Sequence, residues 1–305
     1  MSCANVTTKY SLKITIIKGI KMKSKLLLLV LLFNLAACSA KLTESGFIVQ
    51  DSKQLPYSSQ QWHDWQLKYE TQKLKPITVT VAEPSGEIVT LHGIFIDQPN
   101  SDELIYFIQG NGMTVESSMK SVMASLIKLD KDIVIFDRRG TGASNGRATI
   151  NNLISDANAQ FDFIEQSYSP NKIIIHGFSL GSFIAGQVAK NKKIDGLVLQ
   201  GSATNVDEWI DARMPWYSKI FVTIDVEQAF YQVDNKAVLA NDYSNPLLII
   251  AGENDQQAPA ILSQRLFDAS QSENKALHVV DDATHGNMLA ERQEIRVYKE
   301  FLASL

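Results

Sequence analysis

Residues 177–181 place one serine, Ser179, between two glycines at Gly-x-Ser-x-Gly spacing. An apolar run at residues 172–175 precedes this segment, and a helix-length segment follows it. A sharp strand-to-helix turn strains its central residue, and only small residues on either side avoid a clash. Such a turn would hold the Ser179 hydroxyl at a helix N-terminus, where backbone N–H groups stabilise negative charge. The spacing therefore predicts a nucleophilic serine.

A serine hydroxyl is a weak nucleophile at neutral pH, so it needs a base, and the base needs an acid that orients it. The loop after the apolar run 247–250 contains Glu253 and Asp255, and the loop after the last apolar run contains His285. We expect His285 to be the base rather than His278, which lies within an apolar run. The Gly-x-x-Asp-x-x-x-Pro spacing favours Asp255 over Glu253 as the orienting acid.

The elements that must position these residues are short apolar runs separated by helix-length segments. The runs cover residues 104–108, 133–136, 173–175, 197–199, 247–250 and 277–280, and the segments cover 113–129, 152–168, 181–190, 259–270 and 288–305. Runs of this kind are typical of strands covered on both faces, and their alternation with helices predicts a mainly parallel sheet. Residues 77–81 and 88–96, on either side of a Ser-Gly turn at 85–86, predict an antiparallel hairpin at one edge.

One stretch of about forty residues, 202–241, separates two of these runs where a single short helix would be enough. It is rich in aromatic residues, among them Trp209, Trp216 and Phe221. Long excursions after the carboxyl end of a strand are usually functional, and ligands bind at those ends in α/β sheets. We predict a small helical cap over the site, with these three side chains as candidate substrate contacts.

Two further turns complete a set of motifs. Gln-Gly-Asn-Gly at 109–112 and Asp-Arg-Arg-Gly-Thr-Gly-Ala-Ser at 137–144 each follow an apolar run. With the serine turn and the chain order Ser179, Asp255, His285, they resemble the α/β-hydrolase family over about residues 77–305. The chain looks most like the esterase, lysophospholipase and serine-aminopeptidase-like group. The resemblance implies an α/β fold with a mainly parallel eight-stranded sheet, helices on both faces and a small helical cap insertion.

The resemblance also implies a role for each site residue. Ser179 would attack a substrate carbonyl, His285 would accept and return the proton, and Asp255 would orient the imidazole. The backbone N–H groups of Asn111 and Leu180 would form the oxyanion hole. This chemistry requires no metal and no organic cofactor.

Other polar residues in these motifs have structural interpretations. Gln109 stands where the family has a histidine, whose role there is mainly structural. We expect Asp137 and Arg139, with Asp156 on the next helix, to form a buried polar brace. His176 is expected to pack beneath the serine turn.

The first residues of the chain have the pattern of a secretory signal. Residues 26–38 are apolar except for Asn34, which is too short for a membrane span, and Lys21, Lys23 and Lys25 precede them. Met22 fits the start of such a signal better than Met1. We therefore predict a signal region at 1–37, a tether with a short helix at 38–75, and the main domain at 76–305.

Leu35-Ala36-Ala37-Cys38 resembles the lipobox of bacterial lipoproteins. That resemblance implies cleavage before Cys38 and a diacylglyceryl group on its sulfur, with the outer membrane, facing the periplasm, as the expected location. Because Ser39 and Ala40 follow, ordinary signal cleavage after Ala40 is the alternative.

The charge of the chain excludes one class of partner. The whole chain has a net charge of −4, but its first 37 residues hold six of the 29 basic residues and no acid. The remaining 23 basic and 33 acidic residues give a net charge of −10, which is unsuited to binding nucleic acid.

Two cysteines, Cys3 and Cys38, cannot build a disulfide framework. The oligomeric state has no signal in the sequence.

Three functions fit these observations. The first is hydrolysis of a carboxylic ester with an apolar group, such as a lysophospholipid. The second is an aminopeptidase-like serine peptidase, which needs acids in the cap to hold a free amino terminus. The acids available there are Asp207, Glu208, Asp211, Asp225 and Glu227. The third is a non-catalytic envelope binding protein on a hydrolase scaffold.

Overall fold

The computed structural model describes residues 38–83 and 86–305, so the signal region and Ser85 of the predicted turn lie outside the described residues. The strands are β1 Cys38–Leu42, β2 Lys73–Ala82, β3 Ile88–Asp97, β4 Glu103–Ile108, β5 Asp132–Phe136, β6 Lys172–Phe178, β7 Gly196–Gln200, β8 Val222–Val226, β9 Leu247–Gly252 and β10 Lys275–Val280. Eight of them form one sheet in the order β10-β9-β7-β6-β4-β5-β3-β2. β3 is antiparallel to both β2 and β5, and every other pair in this sheet is parallel. The predicted mainly parallel sheet with an edge hairpin is confirmed.

The described residues form ten α-helices, several of which pack on the two faces of the sheet. They are α1 Glu44–Phe47, α2 Ser59–Lys68, α3 Val115–Lys120, α4 Met123–Leu126, α5 Ile150–Tyr168, α6 Leu180–Asn191, α7 Val206–Arg213, α8 Asn235–Asn241, α9 Ala260–Ala269 and α10 Arg292–Ala303. Neighbouring strand residues enter different cores, as Tyr106 and Phe107 of β4 do. The Tyr106 core includes α5 and α6, and the Phe107 core includes α3, α4 and α10. The central strands β4, β5, β7 and β9 are mainly apolar because both of their faces are buried.

The segment predicted as one helix at 113–129 is divided. α3 ends at Lys120, Ser121 leaves helical geometry with φ −121° and ψ −96°, and α4 is followed by a 3₁₀ turn at Ile127–Leu129. The Ser121 hydroxyl donates to the carbonyl oxygen of Ser117 at 2.7 Å. A serine that bonds its own backbone competes with the helical ladder, which explains the break.

The cap contains a strand as well as helices. Between β7 and β9 the chain forms α7, a 3₁₀ turn at Ser218–Ile220, β8, a second 3₁₀ turn at Gln228–Gln232, and α8. β8 pairs in parallel with β1, with Cys38 opposite Val222 and Leu42 opposite Val226. The purely helical cap predicted from the sequence thus differs from the mixed one observed, because a strand from the N-terminal segment supplies the partner that β8 needs.

The segment predicted as a tether packs against the domain. Beyond β1, Phe47 contacts the rings of Trp209 and Phe230 edge-on, and Ile48 is buried. The predicted short helix is α2, whose Trp65 is buried. Across residues 38–83 and 86–305, no helix is long and apolar enough to cross a membrane.

Candidate active site

Ser179 occupies the turn between β6 and α6. Its φ of 53° and ψ of −121° lie in a region where the backbone of any residue with a Cβ is strained. Ser179 is also the N-cap residue of α6. The flanking glycines make the turn possible. A Cβ on Gly177 would lie 2.5 Å from the carbonyl oxygen of Gly181, and a Cβ on Gly181 would overlap the carbonyl oxygen of Ile108. The turn therefore requires glycine at both positions and holds the serine above the sheet.

A chain of two hydrogen bonds connects the three residues singled out from the sequence. The Ser179 Oγ lies 2.8 Å from Nε2 of His285, and Nδ1 of His285 lies 2.7 Å from Oδ2 of Asp255. Because an ionised carboxylate only accepts, Nδ1 carries the proton that it donates to Asp255. That tautomer leaves Nε2 as an acceptor for the serine hydroxyl.

The carboxylate of Asp255 is fixed by its own loop. Its second oxygen accepts hydrogen bonds from the backbone N–H groups of Gln257 at 2.8 Å and Ala258 at 2.9 Å. The alternative residues lie elsewhere. Glu253 is exposed and accepts from the backbone N–H of Asp282, whereas His278, in β10, lies 3.6 Å from the carboxylate of Glu294.

The loop at residues 109–112 lies directly beside the serine. A Cβ on Gly110 would lie 3.3 Å from the Cβ of Ser179, and both Asn111 and Leu180 line the same pocket as the serine. The Gln109 side chain, at the position of the family's histidine, donates to the carbonyl oxygen of Phe136 at 2.6 Å and accepts from the Ser118 hydroxyl at 2.7 Å. The amide of Gln109 is thereby bonded through both its nitrogen and its oxygen, and it anchors the loop.

The side chain of Asn111 bonds outside the site. Its Nδ2 donates to the carbonyl oxygen of Phe47 at 2.7 Å, and its Oδ1 accepts from the backbone N–H of Val49 at 2.9 Å. Within the part of the chain that the structure describes, the backbone N–H groups of Asn111 and Leu180 have no acceptor. Both are therefore free to donate to an atom in the pocket.

The pocket above the serine has an empty volume of about 830 Å³, including its opening to solvent. Its walls are mainly apolar and come from the sheet loops, the cap and the N-terminal segment. The apolar side chains that line it are Phe47, Ile150, Leu180, Phe183, Ala203, Val206, Trp209, Phe230, Val233 and Ala258. A pocket with these mainly apolar walls and a few polar groups has the character of a small-molecule site.

The structure brings one of the three candidate substrate contacts to this pocket. Trp209 lines it and donates from Nε1 to the carbonyl oxygen of Gln257 at 2.8 Å. Trp216 and Phe221 do not line it, and are 76% and 43% exposed. The aromatic content of the cap does not reveal which face each ring occupies, so it could not separate these two residues from Trp209.

Phe47 and Phe230 were missed as pocket residues. Phe230 belongs to the aromatic-rich cap, so composition alone could have suggested it. Phe47 carries no such signal, because the segment that contains it is placed at the pocket by contacts with distant residues, among them the pairing of β1 with β8, which are about 180 residues apart.

Charged residues are rare in the pocket. Arg213 is the only Lys, Arg, Asp or Glu side chain among the described lining residues, and its Cζ lies 4.6 Å from the centre of the Trp209 ring. The five cap acids contact other groups. Glu208 pairs with Lys236 and Arg265, Asp211 with Lys219, and Asp225 with Lys41, while Glu227 accepts from the backbone of Glu44 and Asp207 from the Tyr231 hydroxyl.

His176 has the structural position expected for it. It is fully buried beneath the turn, and its Nε2 lies 3.0 Å from Oε1 of Gln200. Burial lowers the pKa of the His176 imidazole from 6.5 to about 3. The residue is therefore neutral at physiological pH and has no contact with the serine hydroxyl.

The polar brace differs from the prediction in one partner. Arg139 makes a two-pronged contact with Asp156, at 2.9 and 2.6 Å, and also pairs with Glu83. Asp137 instead accepts from the Tyr57 hydroxyl at 2.5 Å and from two backbone N–H groups. Burial raises the pKa of the Asp137 carboxyl to about 6. Tyr57 lies too far along the sequence for this partnership to be read from the motif.

Comparison with known proteins agrees with this architecture. A family model described as alpha/beta hydrolase fold matches residues 103–222. An uncharacterized protein of Mycobacterium tuberculosis is 29% identical over 180 residues, which are 58% of this chain and 61% of that protein. Lysophosphatidylserine lipase ABHD12 of Danio rerio is 27% identical over 218 residues, covering 66% of this chain and 56% of that protein. The chain thus spans about six tenths of the length of these relatives.

Solved structures share the fold at low sequence identity. The Pyrococcus furiosus esterase Pf2001 superposes with a TM-score of 0.63 at 20% identity, over 84% of this chain and 99% of that one. Est1E of Butyrivibrio proteoclasticus, solved with ferulic acid, gives a TM-score of 0.57 at 17% identity, over 75% and 98%. In its sheet order and its serine turn, the chain has the α/β-hydrolase fold of the matching family model and of these solved structures.

Proposed function

We propose that the protein is a serine hydrolase that cleaves a carboxylic ester through an acyl-enzyme. One observation carries the proposal: the hydrogen-bonded chain Ser179–His285–Asp255 opens onto an apolar pocket. A nucleophile, a base and an orienting acid at these distances meet the geometric requirement for acyl transfer.

The reaction follows from the positions of the protons. His285 Nε2 takes the hydroxyl proton as Ser179 Oγ attacks the substrate carbonyl, and the resulting imidazolium is stabilised by Asp255. The imidazolium then protonates the departing alcohol, leaving an acyl group on Ser179. Water, deprotonated by His285, attacks this acyl group, and collapse of the second intermediate returns the free serine and releases the carboxylic acid.

The oxyanion of each tetrahedral intermediate would be held by the backbone N–H groups of Asn111 and Leu180. Both groups line the pocket beside Ser179 and have no other acceptor among the described residues. A donor aimed at a developing oxyanion contributes about 3 kcal/mol to the transition state. The dipole of the twelve-residue helix α6, which begins next to the serine, acts in the same direction.

The substrate proposed is an acyl ester with an apolar chain, such as a lysophospholipid. The apolar lining of the pocket supports an acyl chain, and one of the relatives is named a lysophosphatidylserine lipase. Burial of each CH₂ of such a chain contributes about 0.8 kcal/mol to binding.

A serine peptidase of the aminopeptidase-like branch is less well supported. Such an enzyme needs a carboxylate that holds the substrate's amino terminus, and no carboxylate lines the pocket in the described part of the chain. A non-catalytic binding protein would not require a serine that is hydrogen-bonded to an imidazole. Comparing p-nitrophenyl acyl esters with amino-acid anilides separates the first two functions, and we expect turnover of the esters.

The experiment that tests the function compares ester hydrolysis by the wild type, Ser179→Ala and Ser155→Ala. Loss of the nucleophile is expected to lower kcat by about 10⁶-fold. Ser155 is exposed on α5, so its substitution should leave the rate unchanged. Equal rates in all three proteins would show that Ser179 is not the nucleophile.

We also propose that Cys38 carries a lipid anchor that holds the enzyme at the outer membrane, facing the periplasm. Besides the Leu-Ala-Ala-Cys sequence, the position of β1 supports this: it begins at Cys38 opposite Val222, which follows the exposed Phe221, and the nearby residues Trp216 and Tyr217 are exposed as well. Trp and Tyr favour the membrane interface. Cys38→Ser should release the protein from the membrane fraction and remove the mass of the acyl groups. Unchanged membrane association with an unmodified Cys38 would exclude the anchor.

A further inference from the structure

The guanidinium of Arg213 lies at the pocket and has no ionic partner among the described residues. It stacks over the ring of Trp209 at 4.6 Å, at the end of α7. Trp209 is fixed by its bond to the carbonyl oxygen of Gln257, and the N–H of Gln257 bonds to Asp255. Three contacts in series therefore connect Arg213 to the acid of the Ser179–His285–Asp255 chain.

The acids near Arg213 do not neutralise it. On α7 itself, Glu208 pairs with Lys236 and Arg265, and Asp211 with Lys219. In the described part of the chain no carboxylate lies within 4.0 Å of the Arg213 guanidinium, and none lines the pocket. A stacked guanidinium keeps its edge free, and its N–H groups match the two oxygens of a phosphate or carboxylate.

We infer that Arg213 binds an anionic oxygen group on the alcohol part of the ester. This inference rests on the proposed ester hydrolysis and narrows it to acyl esters that carry a phosphate or a carboxylate. The apolar walls hold the acyl chain, Ser179 attacks the ester carbonyl, and the anion lies against the cation at α7. A neutral ester with the same acyl chain lacks the last contact.

Three hexanoyl esters, used below the concentration at which they form micelles, test the inference. They are 1-hexanoylglycerol, its 3-phosphate, and the hexanoyl ester of glyceric acid. The variants are Arg213→Gln, Arg213→Lys and, as a control with the same change of charge, Arg296→Gln, whose side chain is 70% exposed on α10. The kcat/KM of the wild type and of each variant is measured on all three esters, at low and at high salt.

With Arg213→Gln we expect kcat/KM to fall about tenfold more for the anionic esters than for the neutral one, which corresponds to about 1.4 kcal/mol. Arg213→Lys should lose part of this preference, because lysine keeps the charge but not the planar fork. High salt should weaken the wild-type preference and leave Arg213→Gln unaffected. Comparison of the phosphate with the carboxylate ester identifies which anion the site prefers.

An equal loss on all three esters would mean that Arg213 only supports Trp209, and no loss would mean that it does not contact substrate. Either result overturns the inference. If Arg296→Gln reduced the preference for the anionic esters as much as Arg213→Gln does, the effect would come from net charge. That result would also overturn the inference. Failure of the proposed function is distinguishable, because the wild type would then hydrolyse none of the esters faster than Ser179→Ala.

Discussion

The side-chain amide of Asn111 donates to the carbonyl oxygen of Phe47 at 2.7 Å, and this bond joins the loop beside Ser179 to the segment that follows Cys38. A second bond, from the Val49 N–H to the same amide, makes the contact two-pronged. The N-terminal segment is therefore part of the pocket: it supplies one wall through Phe47 and holds the loop that carries the Asn111 N–H.

Asn111→Ala is expected to lower kcat by about tenfold to a hundredfold, because the backbone donor remains but its loop loses both bonds, and small displacements of catalytic groups are costly. The measurement is steady-state ester hydrolysis alongside thermal unfolding. Asn171→Ala, which removes an exposed amide bonded to Asp102, is the control. An unchanged kcat in Asn111→Ala would show that the loop does not depend on the N-terminal segment.

Gly181→Ala is expected to destabilise the protein by about 3 kcal/mol, because the new Cβ would overlap the carbonyl oxygen of Ile108. Alanine's better helix propensity returns only about 1 kcal/mol. Gly286→Ala is the matched control, since its Cβ would meet nothing within 4 Å. Denaturant unfolding of both variants checks this, and equal midpoints would contradict the crowding inferred at the turn.

Asp156→Asn is expected to cost about 3 kcal/mol of unfolding free energy, because it leaves the buried guanidinium of Arg139 with Glu83 as its main partner. The exposed pair of Lys120 with Glu116 provides the comparison. Glu116→Gln should change stability by no more than about 0.5 kcal/mol. If the two substitutions had the same effect in denaturant unfolding, the brace would not be a buried structural contact.

His176 makes stability depend on pH in a defined direction. Its folded-state pKa of about 3 lies below the ordinary value of 6.5, so the unfolded chain binds the proton more tightly. The contribution of neutral His176 to the free energy of unfolding is fully present above pH 6.5, and it is lost as the pH falls from 6.5 towards 3. Between pH 6.5 and 5 the loss is about 2 kcal/mol.

The variant His176→Gln should therefore lose about 2 kcal/mol less than the wild type between pH 6.5 and 5. Denaturant unfolding at both values measures the difference. His63→Gln, at an exposed position on α2, is the control and should behave as the wild type. A wild-type loss that persists in full in His176→Gln would show that other groups carry it.

The parts of the site that could be predicted from sequence are those fixed by local geometry. Ser179 needs glycine at two nearby positions, and Asp255 and His285 each follow a strand whose carboxyl end meets the same edge of the sheet. Each of these requirements appears in the sequence as a local pattern of residue types, which is why it could be predicted. The parallel sheet and its hairpin edge were predictable for the same reason, since the hydrophobic pattern of a strand depends on which of its faces are buried.

The remaining features depend on contacts between distant residues. Phe47 reaches the pocket because β1 pairs with β8, and Asp137 is bonded to Tyr57 rather than to Arg139. Trp209 and Trp216 are equally aromatic and only seven residues apart, yet one lines the pocket and the other is exposed. Tertiary packing decides such differences, so they cannot be predicted from composition.

The most direct test of the central claim is covalent labelling with a fluorophosphonate, followed by mass spectrometry of the digested protein. A serine activated by His285 attacks phosphorus as it would a carbonyl, so we expect stoichiometric modification at Ser179. His285→Gln should abolish the labelling while the protein stays folded. Labelling at another serine, or none in the folded wild type, would contradict the account.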